Sequence, residues 1–143
     1  MLRTARKNFE DAYRRHLAAS CVAAESHTIS HVLLLIYALE CGMKALLMRK
    51  FKAKSWEELH PARGCGTSGH DLAEGLKNLG VSARLTISRR RTAPDRDGRR
   101  EDVTTAQLHE VFRYAIPLEA PDFPQMQNQL DAILAWLKTQ LGG

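Results

Sequence analysis

The chain has 143 residues, the length of one ordinary domain, and we expect a single domain that spans residues 1–143. Hydrophobic residues make up 44% of it and charged residues 26%, which is typical of a globular protein and excludes extensive disorder. Three cysteines without a C-x-x-C spacing, together with a charged N-terminus that is unlike a signal peptide, favour a reduced, cytoplasmic setting.

Two long helices are predicted at the start of the chain. Apolar residues recur every three or four positions over about residues 3–25, which indicates an amphipathic helix. Residues 31–52 are apolar on nearly every face, so we expect them to form the central helix. Gly42 weakens this helix by up to about 1 kcal/mol relative to alanine and is expected to let another helix approach closely. The longest uninterrupted apolar run, Val32–Leu39, is too short to span a bilayer, so no membrane partner is expected.

A short turn of helix is predicted at Ser55–Leu59, and a third helix with clear end signals follows it. Ser68 is its predicted N-cap, Asp71 stands in the capping-box position, and Gly80 ends it. Residues 81–103 show only a weak apolar alternation, and a lone strand there would have nowhere to pair. We therefore expect residues 81–103 to form a long basic loop, either ordered or mobile, between the third and fourth helices.

A fourth helix and a last helix complete the predicted fold. Thr104 or Thr105 caps the fourth helix, which is expected to continue through Ala115. The segment PLEAPDFP, with three prolines in eight residues, then predicts an extended linker. The last helix is predicted from residue 123 or 125 to Leu141. These elements indicate an all-α fold, an up-and-down bundle of four or five helices.

A charged pair interrupts the apolar second helix. Glu40 and Lys44 stand four residues apart, in the favourable orientation for an ion pair across one helical turn. Tyr37 lies on the same stripe, so these three residues form a candidate polar cluster or interface that faces solvent, a second subunit or the turn that holds His70. Because most charges on helices are simply solvated, a polar stripe beside a neighbouring loop is the alternative.

Arginines are concentrated in one segment. Ser88–Arg100 carries six arginines against two aspartates, which accounts for most of the formal net charge of +5. Clustered guanidinium groups bind phosphates and gain from the release of counterions, so RNA or DNA phosphates are the predicted partner. No aromatic residues are interleaved to stack on bases, and a solvated loop is the alternative. The candidate nucleic-acid-binding residues are Arg89, Arg90, Arg91, Arg96, Arg99 and Arg100.

Three segments occur in an order that resembles a known family. They are YALECGMKALLMRK in the second helix, GHDLAEGLKNLG some twenty residues later, and FRYAIPLEAPDF further on. Together they resemble the HEPN family of small helical-bundle domains, and the likeness covers about residues 8–138. The resemblance implies a helical bundle that is a homodimer or acts with a partner protein of the same operon, commonly in toxin–antitoxin, antiphage or RNA-processing systems.

The resemblance also implies candidate catalytic residues. The ribonuclease branch of the family uses an arginine and a later histidine separated by four to six intervening residues, a pair suited to moving a proton beside a bound phosphate without a metal. Arg63 and His70 meet this spacing at its upper limit, but Arg63 lies in a predicted loop and His70 occupies the family's usual His-Asp-Leu position. Arg113 stands where the arginine of the motif is expected, although no histidine follows it.

These observations favour one function and leave two alternatives. His27 and His31 lack a cysteine or carboxylate at ligand spacing, so neither a metal site nor a cofactor is expected. The favoured function is a non-catalytic binding or assembly module of a prokaryotic defence, toxin–antitoxin or mobile-element system, in contact with nucleic-acid phosphates, a partner protein or both. The alternatives are a metal-independent ribonuclease that uses His70 with Arg63 or Arg113, and a purely structural protein-interaction subunit.

Overall fold

A computed structural model of the chain describes residues 5–24, 29–59, 71–88, 90–119 and 122–142. Helices predominate among them, and the sheet in this part of the chain is a two-stranded hairpin. The prediction of an all-α fold is therefore confirmed. The helices are α1 (Arg6–Ala24), α2 (Ile29–Lys50), α3 (Trp56–Leu59), α4 (Leu72–Asn78), α5 (Leu108–Arg113) and α6 (Asp122–Leu141), and the strands are β1 (Arg90–Arg91) and β2 (Asp102–Val103).

Helix α2 is the central element of the described fold, as its sequence predicts. It contacts α1, α3, α4, α5 and α6. Side chains on opposite sides of the helix are buried, and burying one aliphatic side chain of this size stabilises a fold by about 1.5–3 kcal/mol. The hydrophobic contribution to stability therefore depends heavily on α2. Its buried apolar side chains are Val32, Leu35, Ile36, Ala38, Leu39, Met43, Ala45, Leu46, Leu47 and Met48.

The same helix has the length and composition of a membrane-spanning segment. Ser30–Lys50 reaches a mean hydropathy of 1.6, although its longest uninterrupted apolar run is short. In the structure 67% of this apolar stretch is buried. The core helix of a bundle meets the same criteria, so the place of α2 in the fold is enough to explain its composition.

Helices α1 and α6 each bury one stripe. On α6 the side chains of Met126, Leu130, Ile133 and Leu137 are all fully buried, and their spacing of four, three and four residues matches the period of an α-helix. On α1 Tyr13 is fully buried in the same core cluster. The faces opposite these stripes are exposed, which is the amphipathic pattern that the sequence predicts for both helices.

Two glycines bring helices into close contact. A Cβ atom placed on Gly42 would lie 3.1 Å from Cδ1 of Tyr13 and 3.1 Å from Cδ1 of Leu137, so α1 and α6 both approach α2 here, as predicted. A Cβ atom on Gly75 of α4 would lie 2.8 Å from the terminal methyl of Met43. The end of a methionine side chain adapts easily, whereas the fully buried ring and the branched leucine do not. The two glycines therefore differ in the substitutions they tolerate.

Helix α4 begins later than predicted. Asp71 is its N-cap, with an extended backbone conformation, and its Oδ1 accepts a hydrogen bond from the backbone N–H of Glu74 at 3.2 Å. The sequence predicts Ser68 in this role, but Ser68 lies outside the described residues, and Asp71 caps the helix itself. The hydroxyl of Thr105 donates to the same Asp71 oxygen at 2.5 Å. Gly80 ends the helical region with a φ of 77°, which confirms it as the stop signal.

The last two residues of α2 hold the ends of two other helices. Nζ of Lys50 donates to the carbonyl oxygen of Asn78 at the end of α4 at 2.6 Å. Nη1 of Arg49 donates to the carbonyl oxygen of Gln140 near the end of α6 at 3.2 Å. Cations at helix C-termini satisfy carbonyl groups that lack a partner within the helix and oppose the negative end of the helix dipole. Helix α2 thus positions α4 and α6 through polar contacts as well as through packing.

The arginine-rich segment contains a paired hairpin, so the expectation that a strand here has nowhere to pair is wrong. Strands β1 and β2 are antiparallel, with Arg90 opposite Val103 and Arg91 opposite Asp102. On its other side β1 continues into an antiparallel bridge between Thr92 and Leu118. Residues 117–119, with which the predicted linker begins, are therefore held against the hairpin. Their backbone bonds run from Ala93 N–H to the Pro117 carbonyl and from Glu119 N–H to the Arg91 carbonyl, each at 2.9 Å.

Helix α5 is shorter than the predicted fourth helix. The backbone N–H of Thr104 donates to Oε1 of Gln107 at 3.1 Å, and a 3-10 turn precedes the helix. The helix ends at Arg113, and Ala115 has a φ of 53°, a left-handed conformation that cannot continue a right-handed helix. The prediction that the helix runs through Ala115 is wrong, and the residues after Arg113 form an exposed turn.

Replacing Gly42 with leucine is expected to lower the free energy of unfolding by about 1–3 kcal/mol, because the new side chain must displace buried atoms of Tyr13 and Leu137. The matched change Gly75→Ala meets only the end of Met43 and gains up to about 1 kcal/mol of helix propensity, so its stability should stay near that of the parent. Thermal unfolding followed by circular dichroism measures both. Equal unfolding midpoints for the two variants would contradict the close approach at Gly42.

Candidate interaction surface

Arg90 belongs to the interior of the fold. Its side chain is 4% exposed, and its Nη1 and Nη2 donate to Oε1 of Gln125 at 2.8 Å and to Oε1 of Gln129 at 2.7 Å. Both glutamines lie on α6, so this guanidinium anchors β1 to that helix. The placement is at odds with the predicted role of Arg90 as a phosphate-binding residue, because a buried guanidinium cannot reach a nucleic acid.

Arg91 and Arg100 lie on the surface beside carboxylates. Nε of Arg91 is 3.7 Å from Oδ1 of Asp102 on the paired strand, and Nε of Arg100 is 3.4 Å from Oε1 of Glu119. Exposed ion pairs of this kind contribute about 0–1 kcal/mol each to stability. Their main consequence is electrostatic, since each places a negative charge next to a predicted phosphate-binding arginine.

The tip of the hairpin is an ordered turn that exposes Arg96 and Arg99. Oδ1 of Asp95 accepts the backbone N–H groups of Asp97 at 2.8 Å and of Arg99 at 2.9 Å, which is a side-chain mimic of a backbone turn. Gly98 takes a φ of 74°, a conformation that glycine adopts without strain. Both arginines are exposed, and neither forms an ion pair with any residue in the described part of the chain.

Folding surrounds the basic segment with acidic residues that the count over Ser88–Arg100 leaves out. Glu101 and Asp102 follow that segment directly, and the bridge to Leu118 brings Glu119 beside it. Residues 90–119 carry six arginines and six carboxylates, a formal charge of zero. Over this stretch, which leaves out Arg89, carboxylates that follow Arg100 in the chain offset the excess of positive charge counted over Ser88–Arg100.

Arg113 is exposed but held in place. Its Nη2 and Nε donate to the hydroxyl of Tyr37 on α2 at 2.6 Å and 3.2 Å. Hydrogen bonding to Tyr37, and then to Tyr114, raises the pKa of Arg113 from its ordinary value. The ring of His16 on α1 lies 5.7 Å from the ring of Tyr37, centroid to centroid. The structure thus brings together two predicted site residues, Tyr37 and Arg113, and adds His16 beside them.

Two large hydrophobic side chains are exposed on the turn after α5. Tyr114 is 67% exposed and Ile116 is 40% exposed, and among the described residues these are the exposed large hydrophobic side chains. Ile116 borders an open groove of about 270 Å³ between this turn and the hairpin. We call the surface formed by Pro94, Arg99, Glu101, Tyr114 and Ile116 the hairpin patch. The groove is lined by Thr92, Ala93, Pro94, Asp95, Arg99, Glu101, Ile116 and Pro117.

Glu40 is buried, so solvent, one of the three surroundings that the sequence leaves open for it, does not apply to this side chain. It is 4% exposed, and burial raises its pKa from an ordinary value of 4.5 to about 8, while the charges of Lys44 and Arg113 act in the opposite direction. A carboxyl group with this pKa is protonated over much of the neutral range. Glu40 therefore lies in the interior of the fold, within electrostatic range of an arginine at the surface.

Lys44 is placed against aromatic rings. Its Nζ lies 5.2 Å from the ring centroid of Phe9 on α1 and 5.4 Å from that of Trp56 on α3, both within the range of a cation–π interaction. The ring of Phe9 in turn meets that of Trp56 edge to face, with centroids 6.0 Å apart. Lys44 thus helps to join α1 and α3 to α2. Cys41 follows Glu40 in the chain, and burial raises the pKa of its thiol to about 11. The thiol therefore remains protonated at neutral pH.

Several predicted site residues lie outside the described part of the chain. They include Arg63, His70 and Arg89, so a ribonuclease site that pairs His70 with Arg63 or Arg113 stays a prediction. His31 has its Nδ1 2.9 Å from Oγ of Ser20 and links α2 to α1. In the described ranges no group of three or more histidine, cysteine, aspartate or glutamate side chains could hold a metal ion.

Tyr114, Ile116 and His16 are residues of the candidate surface and its surroundings that the sequence does not predict. Tyr114 and Ile116 follow Arg113 in a stretch that reads as the end of a helix, and half-buried positions are usual there. Pro117 is the sequence signal that predicts their position, because a helix usually ends at or before the residue that precedes a proline. Tyr114 and Ile116 then belong to a turn and not to a helix. No sequence signal pairs His16 with Tyr37, since the contact joins two helices.

The pKa of Glu40 predicts that stability decreases as the pH rises. Between its ordinary value of 4.5 and about 8 the folded chain binds more protons at this site than the unfolded chain, so the free energy of unfolding falls across this window. Below pH 4.5 this loss of stability is absent, because the carboxyl group of Glu40 is protonated in both the folded and the unfolded chain. One pKa unit corresponds to about 1.4 kcal/mol, so the total loss is on the order of a few kcal/mol.

Glu40→Gln keeps the shape of the side chain and removes the titrating group. We expect its unfolding midpoint to fall less than that of the parent between about pH 5 and about pH 8. Glu110→Gln, which removes an exposed carboxylate from α5, is the control and should keep the pH dependence of the parent. Chemical unfolding at a series of pH values provides the measurement, and parallel curves for the parent and Glu40→Gln would rule out a raised pKa.

Comparison with known proteins adds no relative. No family model matches the chain, and neither a curated protein nor a solved structure matches it. The likeness to the HEPN family therefore depends on the three quoted segments alone and stays a prediction.

Proposed function

We propose that the chain is a protein-assembly module, a HEPN-like helical bundle that engages a partner protein through the hairpin patch. The observation that carries this proposal is the exposure of Tyr114 and of Ile116, of which Ile116 lines the groove. Protein interfaces are enriched in aromatic and arginine side chains, and Tyr and Arg are frequent among the residues that supply most of the binding energy. Arg113 precedes Tyr114 directly in the chain, and Arg99 lines the groove together with Ile116.

The patch is supported by contacts that fix its shape. The backbone N–H of Ile116 donates to the carbonyl of Val111 at 2.9 Å, and that of Ala93 donates to the carbonyl of Pro117 at 2.9 Å. The guanidinium of Arg113 is held by Tyr37. A preorganised surface loses less conformational entropy on binding than a flexible loop does. The fixed shape of the hairpin patch therefore favours a role in binding a partner protein.

The local charge also supports a protein partner. Residues 90–119 have a formal charge of zero, with arginines and carboxylates interspersed. Mixed charges at the rim of a hydrophobic centre set orientation and specificity in protein complexes. The HEPN resemblance adds the expectation that the partner belongs to the same prokaryotic defence, toxin–antitoxin or mobile-element system.

A photocrosslinking amino acid at position 114 tests the proposal in the full chain, expressed in the cells that naturally make it. We expect a covalent adduct from position 114, because the partner covers this side chain. The same amino acid at position 135, an exposed site on α6, is the matched control and should give none. Denaturing electrophoresis and mass spectrometry identify the product. Absence of any adduct specific to position 114 would refute the proposed function.

Nucleic-acid binding is a second candidate function, and one observation favours it. Arg96 and Arg99 are exposed at the hairpin tip without an ion pair in the described residues. If they contact phosphates, Arg96→Ala with Arg99→Ala should reduce the slope of log affinity against log salt by about 1–2 for a generic oligonucleotide. Lys54→Ala with Lys138→Ala removes the same charge elsewhere and should leave the slope unchanged. Fluorescence anisotropy over a salt series measures it, and no binding at low salt would eliminate this candidate.

A further inference from the structure

Helices α2, α4 and α6 end side by side. The last two residues of α2 donate hydrogen bonds to carbonyl groups at the ends of α6 and α4. These three ends, residues 45–54, 75–80 and 132–142, carry six basic side chains and no acidic side chain. All six are exposed, and none forms an ion pair with another residue in the described ranges. We call this surface the basic end, and it consists of Arg49, Lys50, Lys52, Lys54, Lys77 and Lys138.

Carboxylates lie around the basic end but not within it. Glu57 and Glu58 stand on α3, and Glu74 lies in the first turn of α4. Oε2 of Glu58 accepts the backbone N–H of Lys54 at 2.9 Å. None of the three glutamates forms an ion pair with a cation of the basic end. Its positive charges are therefore unpaired with any described carboxylate.

Lys52 adds positive charge where glycine would cost less backbone strain. It follows α2 with a φ of 54°, the left-handed conformation. Its N–H donates to the Arg49 carbonyl, while that of Ala53 donates to the Met48 carbonyl. This pair of bonds is a common helix-ending arrangement in which glycine usually holds the left-handed position. A strained lysine there is expected where the charge serves binding rather than stability.

The basic end borders an open groove of about 340 Å³ between α2, α4 and α6. This volume falls in the range of roughly 300–1,000 Å³ that is typical of small-molecule sites. Leu46 is 3% exposed, and Leu79 and Trp136 are half-buried, so part of the lining is apolar. The groove therefore combines apolar side chains with two of the cations. Its lining residues are Leu46, Arg49, Lys50, Leu79, Trp136 and Gln140.

Hydrogen bonds to the backbone hold the two cations of the groove in place. Nζ of Lys50 donates to the Asn78 carbonyl at 2.6 Å, and Nη1 of Arg49 donates to the Gln140 carbonyl at 3.2 Å. Both groups have further N–H donors that these bonds do not use. A guanidinium binds a carboxylate through two parallel hydrogen bonds, and such charge-assisted bonds are roughly twice as strong as neutral ones. The groove therefore presents two preorganised cations to an anion.

The apolar lining narrows the chemistry of that anion. Inorganic phosphate would bind the cations but leave the leucines and the indole uncovered. A nucleic-acid backbone would contact exposed cations of the basic end, because its charges run along its outer surface, and would not fill the groove. An organic carboxylate matches both parts, since its charged head suits the two cations and its apolar or aromatic body suits the rest of the lining.

We propose that this groove is a binding site for a small organic carboxylate whose body is apolar or aromatic. The carboxylate group lies between the side chains of Arg49 and Lys50, and the body packs against Leu79 and Trp136. The site shares no residue with the hairpin patch, so it is tested independently of the proposed function.

Titration of the full chain with phenylpropionate, followed by NMR of the indole N–H groups, tests the site. Of the two tryptophans, Trp56 lies away from the groove against Phe9 and Lys44, and Trp56→Phe assigns the two signals. We expect a saturable shift of the Trp136 signal and no shift of the Trp56 signal. Phenylpropionamide, which lacks the charge, and inorganic phosphate, which lacks the body, should each bind at least about tenfold more weakly. Binding of either as tight as that of phenylpropionate, or no saturable shift, would overturn the proposal.

A matched pair of variants locates the binding in the groove. Arg49→Gln removes a lining cation and should weaken phenylpropionate binding at least about tenfold. Lys54→Gln removes the same charge from the basic end outside the groove and should change binding by less than about twofold, because salt screens exposed charges. Equal weakening by the two variants means a general attraction of anions and refutes the site. Circular dichroism checks folding, and if Arg49→Gln is unfolded, the comparison of the three probes on the parent chain decides the outcome.

Discussion

The burial of α2 among the other helices is the constraint on which the rest of the described structure depends. A helix that is apolar on all sides must be covered on all sides, so each of its neighbours carries a hydrophobic stripe or a short apolar segment that packs against it. Gly42 lets two of these helices approach at the same level. Arg49 and Lys50 at the C-terminus of α2 hold the ends of α6 and α4. Helix α2 therefore organises the fold through both packing and polar contacts.

The polar residues of α2 connect this core to the surface. Tyr37 reaches out to hold the guanidinium of Arg113, and Glu40, one turn further along, is buried within electrostatic range of the same arginine. Lys44 lies against the rings of Phe9 and Trp56. Tyr37 thus connects α5 to the central helix, and Lys44 connects α1 and α3 to it. The arrangement of these helices also sets the position of the turn that exposes Tyr114.

The hairpin shows how folding changes the meaning of a charge cluster. In the sequence the arginines stand together, but in the structure Arg90 is buried against two glutamines, and Arg91 and Arg100 lie beside carboxylates from other segments. The exposed hairpin charges that form no ion pair with another described residue include both signs. Under the proposed function, a protein partner of this surface would meet charges of both signs.

The sequence by itself determined the helical class, the central place of α2, the close approach at Gly42 and the stop at Gly80, because helical period, apolar composition and glycine conformation are local properties. It misplaced the start of α4 and the end of α5 by several residues, since neighbouring contacts decide between competing end signals. Only the tertiary structure decided which residues form the candidate surface. The pairing of β1 with β2 and the burial of Arg90 and Glu40 depend on contacts between different segments of the chain, which no local pattern encodes.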